Sequence, residues 1–216
     1  MGATDSTPGR VTDADVRARR WVVPGLVTAG AAFLILAASV LVLSRYQPLT
    51  TTNDSAIDAP AGPAVTVPYG KTRIQSVLYV DRATMRYSFV LHNGGPVGVT
   101  VTGFDLPSGP SYLVRPVGYA VGGTTLAQAA VPTAQFHSFA LASGAKRVVT
   151  VTLEFVNCQR ISPRAGTNVE QITVNYRGFG FVPRSQRVGL PDLLRIGSPS
   201  DDNRCPHVTA DSRSPG

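Results

Sequence analysis

Val148–Cys158 reads VVTVTLEFVNC, and its alternation decides the fold. Val149, Val151, Leu153 and Phe155 fall on one side, and Thr150, Thr152 and Glu154 on the other. Successive side chains of a strand point to opposite faces, so this period of two predicts a strand with one face in a core. Ser143-Gly144-Ala145 before it is a turn, because glycine accepts backbone angles that other residues resist. The pattern recurs outward in both directions. Downstream, Ile172, Val174 and Tyr176 alternate, Gly178 and Gly180 interrupt, and a further run covers Phe181–Leu190. Upstream lie Phe136–Leu141, the alternating Val97, Val99 and Val101, and the turn Asn93-Gly94-Gly95-Pro96. Before that turn Met85, Tyr87, Phe89 and Leu91 alternate, preceded by the apolar-rich run TRIQSVLYV at 72–80. Seven or eight short strands with no amphipathic helix among them predict an all-β fold, an antiparallel β-sandwich over residues 65–206. The stretch 105–135, rich in Gly, Pro, Ala and Thr, is the long connection. Leu113-Val114 and Tyr119-Ala120-Val121 are candidate short strands within it, and Leu126–Val131 a candidate helical turn.

The N-terminal part has a different character. Trp21–Ser44 holds 24 residues without a charge. As a helix it would extend roughly 36 Å, enough to cross a hydrocarbon core of about 30 Å with some tilt. Arg17, Arg19 and Arg20 precede it, and only Arg45 follows closely. The side richer in Lys and Arg stays in the cytoplasm, so this flank predicts a single-pass signal-anchor with the long C-terminal part outside the cell. A cleaved signal peptide would have a shorter apolar core than one continuing through Val40–Leu43. Arg19-Arg20 also has the look of a twin-arginine export signal, but Ala18 stands where Ser or Thr is usual. The resulting division is a disordered tail at 1–20, the transmembrane helix at 21–44 and a flexible tether at 45–64. The sandwich follows at 65–206, with a disordered tail at 207–216.

The formal net charge is +7, and residues 65–216 hold 15 Lys and Arg against 8 Asp and Glu. Such an excess suits an anionic wall polymer or lipid, yet Arg outnumbers Lys 18 to 2, which also fits a GC-rich coding bias. Cys158 and Cys205 are the only cysteines. Neither has metal spacing or a catalytic neighbour, and an even count in an exported domain is most simply one disulfide. That bond would close a loop of 48 residues and stabilise the fold by about 4 kcal/mol on the chain-entropy estimate.

No catalytic, cofactor or metal constellation emerges. GxSxG is absent, and His92, His137 and His207 stand in unrelated settings. Asp201-Asp202-Asn203 lacks the spacing of a calcium loop, and Gly94-Gly95 and Gly122-Gly123 lack the context of a phosphate loop. What remains is basic and aromatic. Tyr176, Arg177, Phe179, Phe181, Arg184 and Arg187 form the candidate partner surface, although a regular strand would point Arg184 and Arg187 apart.

The SGA turn, the strand VVTVTLEFVNC, a further hairpin and a late cysteine together resemble the immunoglobulin-like ectodomains of single-pass membrane proteins in high-GC Gram-positive (actinobacterial) bacteria. The resemblance spans about residues 65–206 and implies a fold class and a location, with no activity. It departs from antibody-type domains because the sole tryptophan, Trp21, lies in the apolar run. The expected function is a membrane-anchored extracytoplasmic binding or scaffolding domain that is not an enzyme. Its partner would be a membrane, exported or cell-wall component, with nucleic acid disfavoured and no signal for an oligomeric state. The alternatives are a cell-envelope enzyme without a sequence signature, or a binder of anionic wall polymer or lipid.

Overall fold

A computed structural model describes residues 46–70, 72–106, 112–160 and 166–198. The expected span at 21–44, both tails and Cys205 lie outside the described residues. No helix among the described residues is long and apolar enough to cross a membrane.

Among the described residues ten strands form in chain order: β1 (Leu49–Asp58), β2 (Val65–Tyr69), β3 (Thr72–Leu78), β4 (Thr84–Asn93), β5 (Val99–Asp105), β6 (Val114–Val121), β7 (Phe139–Leu141), β8 (Lys146–Phe155), β9 (Gly166–Gly178) and β10 (Val182–Gly197). They make a sheet of order β1-β4-β8-β6 and another of order β2-β3-β10-β9-β5-β7. The apolar rows read from the sequence fill the space between them. Met85, Tyr87, Phe89 and Leu91 of β4 and Val149, Val151, Leu153 and Phe155 of β8 share one core with Ile172, Val174 and Tyr176 of β9 and Val188, Leu194 and Ile196 of β10. The fold is an all-β sandwich. Pairing is antiparallel as expected except that β3 runs parallel to β10, with Ile74 opposite Leu193.

The long connection resolves into β6 and a single 3-10 turn at Leu126–Gln128, with Thr133 bridging back to Tyr119. At Gly122 a Cβ would stand 2.2 Å from the Gln128 carbonyl oxygen, so only glycine lets the chain fold back this tightly. The candidate strand at 119–121 and Val114 of the candidate at 113–114 belong to one strand, with Leu113 just before it.

The tether expected at 45–64 needs correction. Leu49–Asp58 is strand β1, paired along β4, and the sandwich begins at Leu49 rather than at residue 65. Its sequence, LTTTNDSAID, shows no apolar alternation because polar groups hold it to the opposite sheet. The Gln186 amide accepts from the Leu49 N–H at 3.1 Å and donates to the Leu49 carbonyl at 2.6 Å, as a neighbouring strand would. Thr51 Oγ1 donates to the Gly189 carbonyl at 2.8 Å.

Two irregularities meet at the next contact. The β1–β4 register shifts between Thr51 and Ser55, and the β10–β9 register shifts between Gly189 and Leu194. Asp192 falls on the inward side of β10 with Gln186, Val188 and Leu194, and beside the two bulges it is 1% exposed. Its carboxylate accepts from Arg73 Nε at 2.7 Å, Arg73 Nη2 at 3.1 Å, Gln75 Nε2 at 2.7 Å and Ser55 Oγ at 2.5 Å. Arg73 Nη2 also donates to the Asn53 carbonyl at 3.0 Å, inside the β1 bulge. A buried charge is tolerable only when paired and hydrogen-bonded, and this one has a bidentate guanidinium and two further donors.

One end of the sandwich, called the upper end, gathers Leu49, Asn93–Val99, Leu141–Arg147 and Gly178–Val182. The registers Leu49↔Asn93, His92↔Lys146, Val99↔Leu141 and Val99↔Gly178 bring them together. Asn93 is fully buried there, donating to the Val97, Leu141 and Ala142 carbonyls and accepting from the Gly95 N–H.

Asp192→Ala strands the Ser55, Gln75 and Arg73 donors and is expected to lower stability by about 3 kcal/mol. Urea unfolding reads this, and a loss below about 0.5 kcal/mol would remove the network from its structural role. Burial also pushes the Tyr87 phenol up to about 12, and burial followed by the Asp81 hydrogen bond raises Tyr79 above its ordinary range. An unfolded tyrosine ionises near 10, so between roughly pH 10 and 12 the unfolded chain releases protons that the folded one keeps. Stability is therefore full below pH 10 and falls across that window, with a shallower fall in Tyr87→Phe. A slope unchanged in Tyr87→Phe would contradict the assignment.

Candidate partner-binding surface

Strands β9 and β10 form the longest hairpin, and Val182 pairs with Gly178 so that only Phe179, Gly180 and Phe181 connect them. A connection this short must turn through the left-handed region, which Gly180 enters at φ +80° without penalty. Phe179 enters it as well, at φ +54°, where the Cβ crowds the following carbonyl at a cost of roughly 1–2 kcal/mol. Both phenylalanines face outward, Phe179 at 43% exposure and Phe181 at 77%. A large apolar side chain held outward on a strained backbone is a pairing found at functional sites.

The basic residues divide by strand parity. Arg177 and Arg187 are exposed on the outer face of the sheet, whereas Arg184 is half-buried on the face that carries Gln186 and Val188. The structure thus separates Arg184 from Arg187, as alternation requires. Tyr176 is not part of the surface. It is 1% exposed and belongs to the core, on the same face of β9 as Ile172 and Val174, and its place among the partner residues is corrected. Beside the hairpin lies a depression of about 380 Å³ lined by Thr102, Asn175, Arg177, Pro183, Arg184 and Ser185, with Tyr176 reaching its lining from the core. Ser185 Oγ donates to Asn175 Oδ1 at 2.6 Å, and Asn175 Nδ2 donates to Asp105 Oδ2 at 2.6 Å, fixing its polar floor.

Register adds residues that sequence distance conceals. Lys146 and Arg147 open β8, both exposed, opposite His92 and Leu91 at the same upper end as the hairpin tip. No local motif joins residues 146–147 to 177–181, and the strand pairing alone reveals that they share an end of the sandwich.

Elsewhere, Tyr119, Phe136, His137 and Phe139 line a depression of about 260 Å³. Phe104 stacks on Tyr119 with centroids 6.1 Å apart, and Phe136 meets both edge-on. Burial raises the Tyr119 phenol above its ordinary value. At the lower end a larger polar concavity of about 510 Å³ is lined by Asp81, Arg82, Arg115, Glu154, Asn157 and Cys158. Its charges are matched within it, Arg115 Nε donating to Glu154 Oε2 at 2.9 Å. Cys158 opens a 3-10 turn beside this concavity and packs on the core. His92 contacts Thr50 Oγ1 through Nδ1 at 3.4 Å, and His207 lies outside the described residues. Among the described residues no three of His, Cys, Asp and Glu are grouped as metal ligands.

No family model and no curated protein matches the chain. Among solved structures it is similar to the cupredoxin domain of amoB from Nitrosocaldus yellowstonii, at 8% identity over 61% of this chain and 65% of that one, with a TM-score of 0.28. The VesB protease of Vibrio cholerae gives 14% identity over 68% of this chain and 32% of that one, with a TM-score of 0.30. A PapD-like domain of human CEP192 gives 13% over 73% and 94%, with a TM-score of 0.27. The chain spans less than two thirds of the first two, and likenesses at these scores carry no argument about function.

The strain at position 179 has a signature. Phe179→Gly is expected to leave stability unchanged or raise it, while Phe179→Val lowers it by about 1–2 kcal/mol, because a β-branched residue tolerates this backbone least. Equal denaturation midpoints for the two variants would disprove the strain.

Proposed function

We propose that the chain is a membrane-anchored extracytoplasmic binding domain of immunoglobulin-like type, without catalytic activity. It meets a component of the membrane or cell envelope through the β9–β10 hairpin. The observation that carries this reading is the hairpin tip, where two outward phenylalanines sit on a three-residue connection beside exposed Arg177. Interface anchors are typically aromatic side chains and arginines. The uncharged run Trp21–Ser44 and its arginine-rich leading flank support the anchor and its orientation.

A Cys158–Cys205 disulfide is part of the same proposal. Cys158 follows the end of β8, where it packs against the core. The Tyr79 N–H donates to the Gly197 carbonyl at 3.0 Å, and the Tyr79 phenol bonds to the Cys158 backbone, so the chain leaves β10 close to Cys158. Cys205 follows Ser198 by seven residues, a reach of up to about 23 Å. The bond would fasten the end of β10 to the end of β8.

The test places a photo-crosslinking residue at position 181, or at exposed Val131 as a control, in the full chain in cells stripped of their wall. Added protease should remove everything beyond the span, and the unreduced chain should titrate no thiol. An adduct should form from 181 and not from 131, and fade in Phe179→Ala. Equal adducts from both positions, or turnover of an envelope substrate by the purified chain, would overturn the reading.

A further inference from the structure

The six-stranded sheet is wider than the four-stranded sheet it faces, and one of its margins is β2. All five residues of β2 are exposed, so among the described residues nothing covers either of its faces. Register fixes which side chains share a face there. On β3, Arg73 and Gln75 point inward to Asp192 and Val77 enters the core. Their neighbours Thr72, Ile74, Ser76 and Leu78 therefore point outward. Val65 stands opposite Ser76, Val67 opposite Ile74 and Tyr69 opposite Thr72. Residues directly opposite one another share a face, so all three large apolar residues of β2 join the outer side. Ile74 in turn stands opposite Leu193 of β10, and Val67, Ile74 and Leu193 make an apolar row across three strands.

Val65 and Tyr69 are each 64% exposed, Val67 48% and Leu78 49%. These are four of the seven large apolar side chains exposed among the described residues, and they lie on a single hairpin. Their open surface amounts to roughly 400 Å², a size at which an apolar patch on a monomer is often functional. A strand that overhangs the sandwich adds nothing to its core, so these side chains do not serve the fold. No charged residue occurs in β2, and none points from the outer face of β3.

The free edge itself is guarded. Tyr69 pairs with Thr72 across two residues, so Tyr69, Val67 and Val65 turn their backbone groups to β3, and Thr66 and Pro68 turn theirs outward. Pro68 has no N–H to offer there, and proline on an edge discourages the addition of another strand. What fits the flat outer side is another sheet face, stacked about 10 Å away as in a sandwich.

We propose that this face is a two-fold interface between two copies of the chain, with Val67 nearest the axis. A two-fold contact requires a patch that complements itself, and an uncharged apolar row does so without bringing like charges together. Two such patches bury about 800 Å² between them, and the β2 rims bring the total toward the ~1,000–1,200 Å² of small, reversible interfaces. Each chain carries a formal net charge of +7, so repulsion opposes the contact and salt strengthens it, the reverse of binding to a polyanion.

Two full-length versions with different tags are co-expressed, each with a photo-crosslinking residue at position 67. A parallel pair carries it at exposed Val131, which lies against the other sheet beside Ala56 and Thr150. An adduct holding both tags is expected from 67 and not from 131. Val65→Lys with Tyr69→Lys sets like charges in the contact and should weaken association of the purified full chain in detergent at least about tenfold by sedimentation. Both residues sit on a strand that buries nothing, so the urea midpoint should not move. If the lysine pair does lower it, Val65→Thr with Tyr69→Thr, which keeps a strand-forming residue in place of each, carries the same expectation for association. Added salt should tighten the wild-type dimer. Equal two-tag adducts from 67 and 131, or adducts from 67 with another protein or with lipid alone, overturn the proposal. So does a dimer that loosens in salt, or one that survives both double substitutions and is therefore held by another part of the chain.

Discussion

A buried carboxylate sets the geometry of this fold. Asp192 has to be inside because it lies on the inward side of β10 with Val188, Leu194 and Ile196, and once inside it must be neutralised by groups from several strands. Ser55 comes from an edge of one sheet, Arg73 and Gln75 from the second strand of the other. Satisfying one charge therefore fixes three strands relative to each other along the side where the sheets would otherwise part. The reciprocal Gln186–Leu49 bonds extend the seam upward by substituting a side-chain amide for a missing strand. Apolar packing holds the middle of the sandwich, while this margin is held by directional polar bonds. Directional bonds specify register in a way that interchangeable methyl groups do not.

The sandwich was legible wherever one face of a strand is apolar. Met85–Leu91, Val149–Phe155 and Ile172–Tyr176 alternate because the other side of each is mostly polar, and period-two reading recovers such strands. The same reading already places Tyr176 with Ile172 and Val174, which is why its burial follows, and why Arg184 and Arg187 separate. β1 was not legible. Its inward contacts are made by Thr51 and Ser55, so the stretch has the composition of a linker and the bonding of a strand. Nor does any local pattern announce that β3 would lie parallel to β10, because that choice is settled by what the rest of the sheet leaves open. Of the surface, the phenylalanines and arginines of the hairpin could be read from their spacing. The left-handed backbone at Phe179 and the placing of Lys146 and Arg147 at the same end of the sandwich could not.

The hairpin tip and the Asp192 seam are related through β10. Its upper half presents a strained apolar tip that contributes nothing to the core, and its lower half carries the carboxylate that joins the sheets. Backbone strain at Phe179 persists only because the long β9–β10 pairing below it is strong enough to dictate the turn. A shorter hairpin would relax into a wider loop, and the two side chains would no longer project from a defined place.

The seam also bears on how the chain becomes a domain. Leu49, the first residue of the first strand, is bonded to Gln186 in the last, across 137 positions of sequence. Contacts of such separation pay their full loop-closure entropy before they return any stabilisation, and they slow folding accordingly. A chain that emerges end first, from a ribosome or through a translocation channel, cannot close this side of its sandwich until β10 is free. Until then β1 has β4 beside it but lacks its contacts with Gln186 and Asp192, and the sheet opposite β4 and β8 is missing the strand that joins β3 to β9. Completion is thus deferred to the final strand, which makes the folded domain a record that nearly all of its length has come through.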